Sequence, residues 1–240
     1  MVNLKSRKTT KQTVRKNQTV VTPQDLVEKL KPFVGKTFLE VSKLTGVSFP
    51  DKLGSKGCVG HFVEDLVGLP RDNDRLDFEW GDLKTKTYHK GQKVGGCVVG
   101  SLNSLVSELL DSNVCFDDFV LGKKIGQTVL VGVCTNRKGG GDFGEGWKNF
   151  TFESVSSHAL NQSPEWKGIV EDFEFLKSYV SQCFLTGEKV SSGKKGPNDF
   201  LTFNSCGGAF NFRGLNLRNS GGVQLALGAT LVRRVCVVPA

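Results

Sequence analysis

The chain has few of the features that mark membrane, secreted or zinc-binding proteins. No apolar run approaches the roughly 20 residues that span a bilayer, and the basic start lacks the apolar region of a secretory signal. The seven cysteines are odd in number and contain no Cys-x-x-Cys pair, which argues against a disulfide framework and a zinc site. The three histidines are too dispersed for a metal-ligand cluster. We therefore expect a soluble, intracellular protein that does not bind membranes.

Basic residues are in excess. Lys and Arg total 32 against 24 Asp and Glu, so the formal net charge is +8. Such a charge favours a polyanionic partner through long-range attraction and counterion release. Six of the basic residues lie in the acid-free segment 5–16. We predict that residues 1–18 form a flexible basic arm, either a solubilising tail or an additional phosphate contact, and that 19–240 form one domain.

One acidic and basic cluster stands out between Leu76 and Lys84. Residues 82–88, Asp-Leu-Lys-Thr-Lys-Thr-Tyr, form an alternating run that predicts a strand, in which successive side chains point to opposite faces and Asp82 and Lys84 share one face. Carboxylate oxygens are the ligands that Mg²⁺ prefers, and an ammonium group can orient water and offset charge on a phosphate. Asp77 and Asp82 are therefore candidate Mg²⁺ ligands, with Lys84 as a catalytic lysine. The alternative is a solvated, charge-rich edge strand.

A helix predicted over residues 57–67 precedes this cluster, ends at Gly68 and carries Glu64. The pattern Lys-Gly-x-Val-Gly-x-x-x-Glu-x-x-x-Gly over residues 56–68, followed by the two aspartates and the lysine, resembles the MutH family. That family comprises the mismatch-repair nicking endonuclease and its GATC-cleaving restriction relatives. The resemblance implies an α/β, restriction-endonuclease-like (PD-(D/E)XK) core with a central mixed sheet flanked by helices.

The resemblance also assigns roles to individual residues. Glu64 matches the helix glutamate near the metal site, and Asp77 matches the first metal ligand, with Asp74 as the alternative. Asp82 stands where the family usually has glutamate, and Lys84 matches the catalytic lysine. The second active-site lysine corresponds to Lys123 or Lys124, which could equally belong to an exposed turn.

The resemblance divides the domain into a catalytic part, about 36–134, and a DNA-recognition part, about 188–240. Four side chains of the recognition part are candidates for DNA binding. Asparagines suit adenine, and arginines suit guanine or phosphate. Plain strand polarity is the alternative for each asparagine. The four are Asn204, Asn211, Arg213 and Arg218.

Together these patterns predict a Mg²⁺-dependent endonuclease acting on double-stranded DNA, as a type II restriction enzyme with a short recognition site. It would act as a monomer or as a dimer formed on DNA. Three alternatives remain: a strand-nicking repair endonuclease, a non-catalytic DNA-binding module that kept the fold, and a generic basic α/β protein with a chance motif.

Periodicity and capping residues predict further elements. Thr22 caps a helix that extends to about residue 33, and a second helix begins near Thr37. The predicted helices farther along are 101–110 and 164–183. The predicted strands are 128–135, 199–204 and 208–213, and the glycine-rich segment 136–146 is predicted to be a loop.

Overall fold

The computed structural model shows a mixed α/β fold in which two β-sheets are flanked by helices. It describes residues 21–49, 57–69, 76–89, 95–101, 106, 109–111, 113, 115–135, 144–212 and 215–235. The predicted basic arm, Asp74 and Arg213 lie outside these ranges. The labelled helices are α1 (Pro23–Leu30), α2 (Phe38–Thr45), α3 (Cys58–Val67), α4 (Val120–Gly126), α5 (Trp166–Thr186) and α6 (Ala229–Val235). The strands are β1 (Asp82–His89), β2 (Cys97–Ser101), β3 (Gln127–Thr135), β4 (Thr151–Ala159), β5 (Leu201–Phe212) and β6 (Leu215–Leu227).

The first two helices begin at threonine caps. The Thr22 side chain accepts the N–H of Asp25, and the Asp25 carboxylate accepts the N–H of Thr22. Thr37 forms the same reciprocal pair with the glutamate three residues later. These contacts satisfy backbone donors that a helix start leaves unpaired. The start positions predicted from the sequence are confirmed.

The first sheet has the order β1-β3-β4, with β1 parallel and β4 antiparallel to β3. Asp82 pairs with Thr128, which pairs with His158, so these three residues form one row across the sheet. The row shares a face because directly opposite residues project to the same side. Helices α1 to α3 pack against the opposite face, around buried residues that include Phe38, Phe62, Leu83, Val129 and Phe152.

The second sheet is antiparallel and has the order β2-β6-β5. Helix α5 packs on one of its faces, where its buried residues meet the inward residues of β5 and β6. Even this 21-residue helix does not combine the length and apolarity of a membrane span, and no other helix of the described residues does. The shared core includes Phe173, Leu176, Val180, Phe203 and Leu225.

Asp172 connects helix α5 to the start of β5 through hydrogen bonds. Its side chain is fully buried and accepts backbone N–H groups from Asn198, Phe200 and Leu201 at 2.7, 2.7 and 2.9 Å. Gly196 permits this approach, because a Cβ there would lie 2.2 Å from Asp172 Cγ. A buried carboxylate is stable only with such donors around it, so this contact fixes the entry into the second sheet.

The two sheets meet beside β1 and β2. A small buried cluster joins Cys97 of β2, Leu130 of β3 and Val232 of α6. Lys86 of β1 donates a hydrogen bond to the carbonyl of Gly96, just before β2, at 2.5 Å. The edge of the second sheet therefore lies next to the face of the first sheet that carries Asp82.

Several predicted elements differ from the structure. Residues 201–204 and 208–212 of the two predicted strands belong to one strand, β5, whose pairing with β6 continues through register shifts. Ser101 ends β2 and does not begin a helix. Residues 144–146, the described end of the predicted loop 136–146, begin a 3-10 helix (Gly144–Asn149), and β4 lies in a segment for which the sequence patterns predict no element. The two lysines before β3 lie in α4, not in a turn.

Candidate active site

Asp77 and Asp82 are brought together by a tight turn. Phe78 and Gly81 exchange two backbone hydrogen bonds, at 3.0 and 3.2 Å, which fold Asp77 back toward the start of β1. Gly81 is required there, because a Cβ would lie 1.9 Å from the Gln127 carbonyl oxygen. The local sequence thus places two carboxylates next to each other where β1 begins.

Backbone donors hold the two carboxylates in place. Asp77 Oδ2 accepts the N–H of Leu83 at 2.9 Å, and Asp82 Oδ1 accepts the N–H of Asp77 at 3.3 Å. Asp82 is fully buried, with 0% of its surface exposed. Burial at this level makes its charge costly unless a counter-charge lies close to it.

Two lysines supply the counter-charge. Lys84, two residues along β1, lies with its Nζ 2.5 Å from Asp82 Oδ2. Lys124 approaches the same oxygen from α4, at 3.4 Å. The end of α4 is fastened by Thr128, whose hydroxyl donates to the Lys124 carbonyl at 2.7 Å. The strand motif and the helix before β3 therefore converge on a single carboxylate oxygen.

The two aspartates have different pKa values. Burial raises the pKa of Asp77 to about 7, together with a hydrogen bond between the Asp77 and Asp82 side chains and the negative charge of Asp82. Burial also opposes ionisation of Asp82, but Asp77, Lys84 and Lys124 outweigh it, and the pKa of Asp82 lies below its usual value. Burial opposes the charge of Lys84 as well, yet Asp82 and Asp77 raise the pKa of that ammonium. At neutral pH, Asp82 is ionised and Asp77 is close to its midpoint.

Lys123 and Lys124 differ in exposure and in the direction of their side chains. Lys123 is exposed, whereas the Lys124 side chain is only 18% exposed and faces Asp82. Glu64 is half-buried on α3, which packs against the opposite face of β1 through its apolar side. Among the described residues, no hydrogen bond or ion pair joins Glu64 to the aspartates. Asp77, Asp82, Lys84 and Lys124 therefore form the cluster, and Lys123 does not join it.

An apolar cavity of about 30 Å³ lies beside the two lysines, between the two sheets. His158 of β4 lies at its wall, and its Nε2 is 2.7 Å from the Ser156 hydroxyl. Burial lowers the pKa of His158. The lining includes Lys84, Cys97, Lys124, Thr128, Leu130 and His158.

Sequence patterns gave no reason to connect His158 with Asp82, since 76 residues separate them. The signal that links them is the register of three adjacent strands, which requires β4 to be recognised first. The serine-rich β4 lacks the β-branched and aromatic run that marks a strand.

The recognition candidates lie on the second sheet. Asn204 is half-buried on β5, and Asn211 lies farther along the same strand. Arg218 lies within β6. None of these three positions is part of the carboxylate and lysine cluster on the first sheet.

The cluster provides few protein ligands for a metal. The described residues contain no group of three or more His, Cys, Asp or Glu side chains arranged to hold an ion. However, Asp77 and Asp82 place two carboxylates side by side at the start of β1, and the Lys84 and Lys124 ammonium groups lie beside the buried Asp82 Oδ2. Mg²⁺ is commonly held by one or two carboxylates together with water and substrate phosphate. The two aspartates fit that mode of binding.

No protein-family model matches this chain, and no curated protein is found to be similar to it. The resemblance to the MutH family therefore rests on the residues quoted above, and the chemistry must be argued from the cluster itself.

Proposed function

We propose that this chain is a Mg²⁺-dependent endonuclease with a restriction-endonuclease-like core that hydrolyses phosphodiester bonds in double-stranded DNA. The observation that carries the proposal is the convergence of Asp77, Asp82, Lys84 and Lys124 at the start of β1. Two carboxylates and two ammonium groups provide, in one place, ligands for a hard cation and donors for a phosphate.

The proposal divides the work between the two residue types. Asp77 and Asp82 would hold Mg²⁺, which when bound polarises a phosphate and lowers the pKa of water. Lys84 and Lys124 would bind the phosphate oxygens and stabilise the negative charge that develops on them. With both aspartates ionised, the two carboxylates and the two ammonium groups balance in charge, so a bound Mg²⁺ would leave the site positive and attractive to a phosphodiester.

The nature of the substrate is supported by charge and by the resemblance. The net charge of +8 favours nucleic acid as the polyanion. The helix motif and the strand motif follow one another in the same order as in the MutH family, whose members cut duplex DNA. The specific form we propose is a type II restriction enzyme with a short recognition site. Glu64 would act from α3 as a supporting residue.

Plasmid cleavage tests the proposal. The purified chain is incubated with methylated and unmethylated supercoiled plasmid and Mg²⁺, beside an Asp82→Ala variant, and the ends produced are sequenced. Discrete ends that disappear with the variant or with chelator support the proposal. Linear products indicate double-strand cutting, and open circles indicate nicking.

Two outcomes contradict the proposal. Equal cleavage by the Asp82→Ala variant would remove the carboxylate from the chemistry. Intact plasmid under both methylation states, with a folded protein and Mg²⁺ present, would exclude an autonomous endonuclease.

A further inference from the structure

Strands β5 and β6 continue past the rest of their sheet. The edge strand β2 pairs with β6 from Leu227 only as far as Gln224, which lies opposite Ser101. Beyond that row, the pairings of the described residues join β5 and β6 only to each other, as far as Phe212 opposite Leu215. The result is a two-stranded antiparallel ribbon about 27 Å long, at about 3.4 Å per residue.

Two amide side chains face each other where this ribbon begins. Asn204 of β5 is directly opposite Gln224 of β6. Their neighbours Phe203, Val223 and Leu225 are buried in the core beneath α5. Because successive side chains alternate between faces, the two amides lie on the face away from that core.

Both amides lie partly withdrawn from water. Both residues are half-buried, and among the described residues no hydrogen bond is made to either side chain. Amide groups withdrawn from water usually have hydrogen-bond partners, because an unpaired donor or acceptor is unfavourable there. Their opposite positions place the two Cβ atoms about 5 Å apart. The pair is therefore poised to accept a partner that presents both donors and acceptors.

The chemistry of the pair selects adenine. A carboxamide offers a donor beside an acceptor, which matches the N7 acceptor and N6 donor of adenine in the major groove. Guanine presents two acceptors at the same edge and pairs better with arginine. A two-stranded ribbon also fits the width of the major groove.

We infer that Asn204 and Gln224 form a base-reading site for the major-groove edge of adenine in duplex DNA. The inference rests on the proposed function, because it takes duplex DNA as the substrate. Leu227, three residues from Gln224 on β6, lines the cavity beside Lys84 and Lys124. An odd separation along a strand places two side chains on opposite faces, so Gln224 and Leu227 project from opposite faces of the second sheet.

A cleavage selection on randomised duplexes tests this site. The chain cuts a pool of duplexes in Mg²⁺, and the cut ends are sequenced for the wild type, Gln224→Leu and Gln182→Leu. Gln182 is exposed on α5 and provides the same chemical change away from both sheets. We expect adenine enrichment near the cut for the wild type and the control. Gln224→Leu should lower that preference roughly 5- to 150-fold, the range for one bidentate base contact.

A second measurement leaves the protein unchanged. The preferred duplex is remade with 7-deazaadenine, which lacks the N7 acceptor, and its cleavage is compared with that of the normal duplex. Slower cleavage by the wild type, with no further loss in Gln224→Leu, supports direct reading by this pair. Equal cleavage of the two duplexes overturns it, even if a variant fails to fold.

Binding separates this inference from the proposed function. The same pool is offered to Asp82→Ala protein in a mobility-shift selection, which requires no cleavage. Adenine enrichment that depends on Gln224 supports the pair even where plasmid cleavage fails. Cleavage without a Gln224-dependent adenine preference overturns the pair and leaves the nuclease intact. No base preference in either selection also overturns it.

Discussion

The two sheets use their polar side chains in opposite ways. On the first sheet, Asp77, Asp82, Lys84 and Lys124 contact one another in a buried cluster. On the second, Asn204 and Gln224 face each other without hydrogen bonds to the other described residues. Charged groups that meet in a buried site shift one another's pKa strongly, whereas amides without a hydrogen-bond partner can bind an external one. Under the proposed function, the first sheet would carry the chemistry and the second sheet the recognition of the substrate.

The largest expected effect is the loss of cleavage with Asp82→Ala. The substitution removes the carboxylate on which both lysines converge, and we expect cleavage to fall by on the order of 10³-fold or more, while duplex binding through the second sheet persists. Plasmid cleavage and mobility shift measure the two activities. Asp117→Ala, a change at an exposed carboxylate, should behave like the wild type. Loss of binding together with cleavage would break the separation between the sheets.

The two neighbouring lysines sharpen the comparison within the first sheet. Lys124→Ala removes an ammonium group 3.4 Å from Asp82, and we expect cleavage to fall on the order of 100-fold. Lys123→Ala changes an exposed side chain and should stay within about twofold of the wild type. Initial cleavage rates under identical salt conditions compare the pair. Equal effects of the two substitutions would contradict the assignment of Lys124 to the site.

Asp172→Asn is expected to lower the stability of the fold at the second sheet. Asp172→Asn places an amide among backbone donors that need an acceptor, and we expect a loss of about 1–3 kcal/mol in the free energy of unfolding. Urea denaturation measures the change, with Glu174→Gln on the exposed side of α5 as the control. Below the unfolding transition, cleavage per folded molecule should be retained. A lower cleavage rate at unchanged stability would connect Asp172 to the chemistry.

The last expected effect is a pH dependence of stability. The unfolded Asp77 ionises near 3.8 and the folded one near 7, so the folded state binds more protons between these values. Stability without Mg²⁺ should therefore fall from about pH 4 to about pH 7 through this group, and Asp77→Asn should remove that part of the slope. Thermal unfolding at several pH values measures it. An identical slope in both proteins would show that the two carboxylates do not share a proton.

Short-range patterns predicted the local elements well. Thr22 and Thr37 start helices because their side chains pair with acidic residues three positions later, a contact that needs no tertiary partner. Helix α3 ends at Gly68, which adopts a left-handed conformation suited to glycine. The alternation after Asp82 likewise placed Asp82 and Lys84 on one strand. In each case the information lies within one turn of helix or a few residues of strand.

Long-range pairing decided the remainder. Neither Lys123 nor Lys124 is favoured by the sequence, since only the packing of α4 beside β1 directs Lys124 toward Asp82. Local patterns predict two strands, 199–204 and 208–213, where pairing with β6 makes one strand, β5, that continues through register shifts. His158 and Gln224 gained their positions from register alone.

The sequence by itself determined the charge balance, the capped helices and the acidic strand motif, because these depend on residue type and on neighbours close in the chain. Tertiary structure alone decided which lysine joins Asp82, which histidine lies at the cavity wall, and which glutamine faces Asn204. Strand register and helix packing join residues far apart in sequence, and no local pattern encodes those distances.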